Sequence, residues 1–216
     1  MATDAWYYNI DFIFTFIAML IALAVSIYSL KVYSFSSKRR YYYFGFGFLI
    51  ISLGFFIRAL FDYLIKTRDF GRMACLTGAT ALPLPFKILL LIYAACELIG
   101  LMTIILVIYE EKKTPIVSLL FLLAATALFI TSSVYVAVHL FAFIFLLLIT
   151  VYFAKNFLDK PGLLSGTVGA GFGLIMLSHA FFLLIGISGL FYLLGHLFRL
   201  AGFLMLLVNY ILVLKK

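Results

Sequence analysis

Charge is scarce in this 216-residue chain: Asp, Glu, Lys and Arg make up 11% of it, against about 25% in an ordinary soluble domain. Proline, at four, and cysteine, at two, are scarce as well. Each shortage excludes something. With 67% of its residues hydrophobic, the chain lacks the polar surface that a water-soluble catalytic or nucleic-acid-binding domain needs. Cys75 and Cys96 form no CxxC pair; one falls in a loop and the other deep in an apolar run, which speaks against a disulfide between them. No HExxH, GxSxG or P-loop pattern occurs, and no nucleophile has a base at catalytic spacing. A non-enzymatic protein is therefore expected. The opening "MATDAWYYNID" is acidic and no small-residue cleavage site follows it, unlike a cleaved signal peptide.

What is present is lipid-soluble sequence in long runs. A helix needs about 20 apolar residues to cross a bilayer core of about 30 Å. Seven stretches qualify: 8–33, 41–65, 84–109, 115–132, 134–154, 163–185 and 188–213. The expectation is an all-α integral membrane protein, one seven-helix bundle over residues 1–216, in a cell membrane. The formal charge of +8 does not point to nucleic acid, because the basic residues sit in short clusters between spans. "SSKRR" (36–40), "EEKKTP" (110–115), "KNFLDKPG" (155–162) and the final "KK" fall on one side under alternation. By the positive-inside rule that side is cytoplasmic and the N-terminus is outside, although the 66–85 loop opposite is basic too.

Ionisable residues inside spans are costly and mark function by default. At ~1.5 Å per residue, His139, His179 and His196 lie at one shallow level below the outer boundary, and Arg58 comes to a similar depth with Asp62 one turn away. Arg199 is one turn from His196, and Glu97 lies mid-span in "YAACELIG". Stripes of small and polar residues place these groups on interior faces: Gly47, Gly54 and Arg58; Tyr93, Glu97 and Gly100; Tyr192, His196, Arg199 and Phe203. Asp11, Thr15, Ala18, Ala22 and Ser26 form a narrow seam on the first span, and Ser165, Gly169 and Gly173 form a close-packing surface on the sixth. The expected site is an outward-facing pocket for a small-molecule ligand, lined by Arg58, Tyr93, Glu97, His139, His179, Tyr192, His196 and Arg199.

Plainer readings stand beside that one. Each histidine can simply hydrogen-bond a neighbour and lock two helices. Arg58 and Asp62, at i and i+4, can neutralise each other. Arg199 has no acid on its own helix, so Glu97 or an anionic ligand or lipid headgroup is its expected partner. His139, His179 and His196 are also candidate ligands for zinc, copper or a haem iron, which makes a membrane electron carrier the first alternative. A small-anion transporter or a scaffold of a larger complex is the second, although no internal repeat or Pro-broken helix pair is visible. A retinal protein is excluded, because the last span has no lysine before Lys215. "YYYFGFGF" (41–48) reads as an interfacial aromatic belt.

The layout resembles the seven-helix membrane-associated sensor (MASE-type) domains that prokaryotes place in front of histidine kinases and diguanylate cyclases. The residues that carry the resemblance are "LGHLFRLAGFLML" (194–206), "KRRYYYFGFGFLIISLGFFIRAL" (38–60) and "YAACELIGLMTIILV" (93–107). It implies a sensor of the signal-transduction class, with Glu97, His196 and Arg199 in its pocket. In that family the last helix feeds a cytoplasmic output domain. Here the sequence runs to Lys216, so the resemblance implies output through a separate cytoplasmic partner, with membrane lipids as the other contacts.

Overall fold

The computed structural model of the protein describes residues 6–67, 84–109, 118–119, 122–126, 133–159 and 162–214. Among them six helices are long and apolar enough to cross a membrane, and no strand occurs. They are α1 (Trp6–Ser36), α2 (Arg39–Thr67), α3 (Leu84–Tyr109), α4 (Val134–Asp159), α5 (Leu163–Leu183) and α6 (Gly189–Leu214). These match six of the seven expected spans to within a few residues. The fourth expected span, 115–132, lies largely outside the described residues; within it 122–126 is helical and Ala124 is buried. Each helix packs on its neighbours in this order and α6 packs back on α1, so the six close a ring.

Side chains sort as lipid demands. On α1, Ile13, Phe16, Ile17, Leu20 and Ile27 are exposed, while Asp11, Thr15, Ala18, Ala22, Ser26 and Ser29 are buried. The seam of small residues is thus the packing face, and the large apolar side chains face outward, the arrangement expected where the surroundings are as apolar as leucine. Serines then clip α1 to α2: Ser26 donates to the Gly45 carbonyl at 2.7 Å, Ser29 to that of Tyr41 at 2.8 Å and Ser52 to that of Met19 at 3.1 Å. Each helix carbonyl gains a second donor where no water can supply one.

Two helix pairs meet backbone to backbone. A Cβ placed on Gly100 would stand 2.7 Å from the Gly47 carbonyl oxygen and 2.5 Å from Ile51, which fixes α3 against α2. A Cβ on Gly202 would stand 2.7 Å from the Gly171 carbonyl oxygen, which does the same for α6 and α5. Only glycine permits that approach. Between these pairs lies an aromatic core, with Phe203 packed on Phe48 and Phe55 at ring distances of 6.2 and 5.6 Å and Phe48 stacked on Phe172 at 6.1 Å. The α1–α2 turn closes through Ser37, which adopts φ 51° and donates its N–H to the Tyr33 carbonyl. Around it Tyr42 and Tyr43 are exposed beside Lys38, Arg39 and Arg40, the expected interfacial belt.

Candidate functional site

The opposite end of the bundle carries the start of α1, the end of α2, the starts of α3 and α4, and the α5–α6 turn at 184–188. All six helices send polar side chains into its interior. Asp11, Asp62, Glu97, His139, His179, His196 and Arg199 are each no more than 6% exposed. The cluster has two halves, with the Phe182 ring between them, 4.8 Å from the His139 ring and 5.0 Å from that of His196.

Asp11 is the hub of the first half. Arg58 forks between two acids, with Nε 3.1 Å from Asp62 Oδ1 and Nη2 3.3 Å from Asp11 Oδ2. Thr15 donates its hydroxyl to Asp11 Oδ1 at 3.4 Å. His196 Nε2 stands 3.1 Å from the same oxygen, close but not aligned as a hydrogen bond. Its Nδ1 is 2.9 Å from Arg199 Nη2. Guanidinium only donates, so Nδ1 accepts and a neutral His196 carries its proton on Nε2, facing Asp11. Arg199 lies between the rings of Phe55 and Phe182, at 5.2 and 5.0 Å, and its Nε has no hydrogen-bond partner. A cavity of about 20 Å³ opens among Asp11, Arg58, His139, Tyr192, His196 and Arg199, enough for one small polar species on the scale of a water.

Glu97, His179 and His139 form the second half, drawn from α3, α5 and α4. His139 Nδ1 and His179 Nδ1 are 2.9 Å apart, so one of them donates and the other accepts. His179 Nε2 is 3.5 Å from Glu97 Oε1, while Glu97 Oε2 has no partner. Glu97 and His179 border a second, smaller cavity of about 10 Å³ walled by Phe48, Phe55, Phe172 and Phe203. Tyr135 packs edge-on to the His139 ring at 4.3 Å.

All eight candidate residues from the sequence, Arg58, Tyr93, Glu97, His139, His179, Tyr192, His196 and Arg199, border one cavity or the other. The expected Arg58–Asp62 pair is formed. One expectation is corrected. Glu97 makes its ion-pair contact with His179 rather than Arg199, because α5 lies between α4 and α6 and brings His179 to the carboxylate first. Of the three histidines, His139 and His179 touch, and Phe182 stands between them and His196. Among the described residues no group of three or more His, Cys, Asp or Glu is placed to hold a metal ion. The directly bonded imidazoles are also too close for a haem iron, which needs about twice a metal–nitrogen bond, roughly 4 Å, between its axial nitrogens. Asp11 was not among the expected site residues. Its signal in the sequence was an acid heading the small-residue seam at the depth of the other charges.

Compared with known protein families, with curated proteins and with solved structures, the chain matches none.

Proposed function

We propose that this protein is a non-enzymatic, multi-pass sensor or ligand-binding protein of a cell membrane, with seven crossings and its polar cluster in the outer half. The fourth crossing is the expected span 115–132. The parity of the bundle supports it: the contacts among Glu97, His179 and His139 put the start of α4 at the same end as the start of α3, so the end of α3 and the start of α4 lie at opposite ends. The exposed Lys38, Arg39, Arg40 and Lys155 at the end away from the cluster support a cytoplasmic assignment for that end. There a separate signalling partner would read the bundle.

The observation that carries the ligand reading is Arg199. It is a buried cation on the wall of a cavity, and among the described residues it has no carboxylate in ion-pair contact and no hydrogen-bond partner for its Nε–H. Buried charges are ordinarily paired or fully hydrogen-bonded, so this one has capacity for an anion. The cavity limits that anion to about the size of chloride, and formate or anything larger requires the bundle to open. Binding there would draw Arg199 on α6 and Arg58 on α2 together and push the Asp11 carboxylate on α1 away, the shift that a partner at the other end would sense.

The test is a thermal-unfolding series on detergent-purified protein in chloride, formate, acetate and gluconate at matched ionic strength. A ligand at 100 times its Kd stabilises the fold by about 2.7 kcal/mol. Stabilisation by one of the smaller anions that is absent in Arg199→Gln supports the reading. Equal melting in all four salts overturns it and leaves the cluster as helix-locking polar contacts.

A further inference from the structure

We propose that His139, His179 and Glu97 form a proton relay leading from the cavity at the end of the bundle to a carboxylate in its interior. The proposal concerns a different half of the cluster from Arg199 and stands whether or not an anion binds there.

The geometry is a chain of alternating donors and acceptors. His139 borders the first cavity, and its Nδ1 is engaged with His179 Nδ1 at 2.9 Å. That leaves Nε2 as the ring atom able to exchange a proton with the cavity. His179 Nε2 faces Glu97 Oε1 at 3.5 Å. Glu97 lies in the middle of α3, ten residues or about 15 Å from Lys87, where the apolar span begins. Its second oxygen, Oε2, has no hydrogen-bond partner among the described residues, and Glu97 lines a cavity walled by four phenylalanines. The chain starts where a water-sized species fits and ends on a buried carboxylate.

The protons balance at each step. In the resting tautomers His179 carries its hydrogen on Nε2, towards Glu97, and accepts at Nδ1 from His139 Nδ1–H. A proton entering at His139 Nε2 makes that ring an imidazolium. Its Nδ1 proton passes to His179 Nδ1, and the His179 Nε2 proton passes to Glu97 Oε1. Each imidazole has gained one proton and released another, and only Glu97 has changed charge. The last transfer needs the 3.5 Å contact to close by a few tenths of an ångström to reach hydrogen-bond distance. Resetting the relay requires each ring to return its proton to the other nitrogen, the step by which histidine shuttles protons.

The surroundings suit one mobile proton. The cluster holds three acids, Asp11, Asp62 and Glu97, and two arginines, Arg58 and Arg199. With neutral histidines it sums to −1, and one proton on Glu97 or a histidine brings it to zero. The charged and titratable groups that act on the relay are Arg58 from α2, Tyr93 on α3 itself, and His196 and Arg199 from α6. Tyr135 on α4 and, through it, Asp11 on α1 complete the set. Asp11 is already held between Arg58 and His196, so it does not compete for the relayed proton.

The experiment is time-resolved infrared spectroscopy of the carboxylic-acid carbonyl band after a pH drop from about 8 to about 5, the range in which histidine exchanges protons, on the full chain in detergent or lipid. Wild type should show a band that rises with the jump and is missing in Glu97→Gln. His139→Gln and His179→Gln keep a hydrogen-bonding side chain but cannot pass a proton through it. They should slow the rise by at least about tenfold with the final amplitude retained, and added imidazole should restore the rate. A band absent from wild type, or a rise equally fast in both Gln variants, overturns the proposal. A melting temperature for each variant separates loss of the relay from loss of the fold, and His179→Asn provides a second non-relaying side chain if Gln does not fold.

Discussion

Removing Arg58 should damage the bundle far more than removing either acid that it holds. Arg58 is one cation shared by two carboxylates, with Asp62 at 3.1 Å and Asp11 at 3.3 Å. Arg58→Gln leaves two buried acids facing each other with no cation between them. Breaking a buried pair from one side costs about 3–5 kcal/mol, because the survivor is left uncompensated, and here there are two survivors. Asp62→Asn works the other way. It leaves Arg58 paired with Asp11 and replaces an anion by an amide of the same shape, so the expected loss is about 1 kcal/mol, the scale of one hydrogen bond. The arithmetic of the cluster agrees, since Asp62→Asn moves its sum from −1 to zero.

The assay is equilibrium unfolding of purified protein in mixed micelles, followed by helix content, for wild type, the two single variants and the double variant. The ordering is the test. Arg58→Gln should be the least stable, and adding Asp62→Asn to it should recover stability, with a coupling of about 1–3 kcal/mol. If Arg58→Gln is no less stable than Asp62→Asn, or if the two losses simply add, the pairing does not carry the energy assigned to it.

Three further outcomes are expected. Gly100→Ala should destabilise by about 1–3 kcal/mol through overpacking, because its Cβ would meet Ile51 at 2.5 Å and the Gly47 carbonyl at 2.7 Å; the same unfolding assay reads it. Gly173→Ala should be neutral or stabilising by up to about 1 kcal/mol, because its Cβ meets only Thr150 at an ordinary 3.6 Å. In a Cys75→Ser, Cys96→Ala background, cysteine at Ser188 should react with an impermeant maleimide on intact cells, and cysteine at Ser37 only after lysis; the reverse pattern would invert the proposed orientation.

The six described spans were legible because burial in lipid leaves a coarse, one-dimensional mark. About 20 apolar residues between polar clusters is a signal that no packing detail can reverse. Interior faces were legible where small residues line up, as in the α1 seam and at Gly47, Gly54 and Gly100. The Gly171–Gly202 approach was hidden because only the partner helix reveals it. Depth along a helix could be counted from the sequence, and the candidate residues lie in one cluster towards one end of the bundle. Rotation about the helix axis could not, because neighbouring helices set it. That is why the sequence suggested Arg199 for Glu97, and why the hub role of Asp11 waited for α1, α2 and α6 to be seen together.

The division of the cluster by Phe182 follows from that same rotation. On one side, two arginines, two acids and His196 hold α1, α2 and α6 through contacts of 2.9–3.3 Å that leave Arg199 Nε and His196 Nε2 without an aligned hydrogen bond among the described residues. On the other, two imidazoles and a carboxylate join α3, α4 and α5 and leave one carboxylate oxygen over. A cluster that only locked helices would satisfy its own groups, since unpaired polar atoms in an apolar interior are expensive. This one leaves a donor on Arg199 and an acceptor on Glu97, residues that border the first and the second cavity, with a chain of ring nitrogens between them. Leftover capacity of opposite kinds on cavity-lining residues supports the proposed site over helix locking alone.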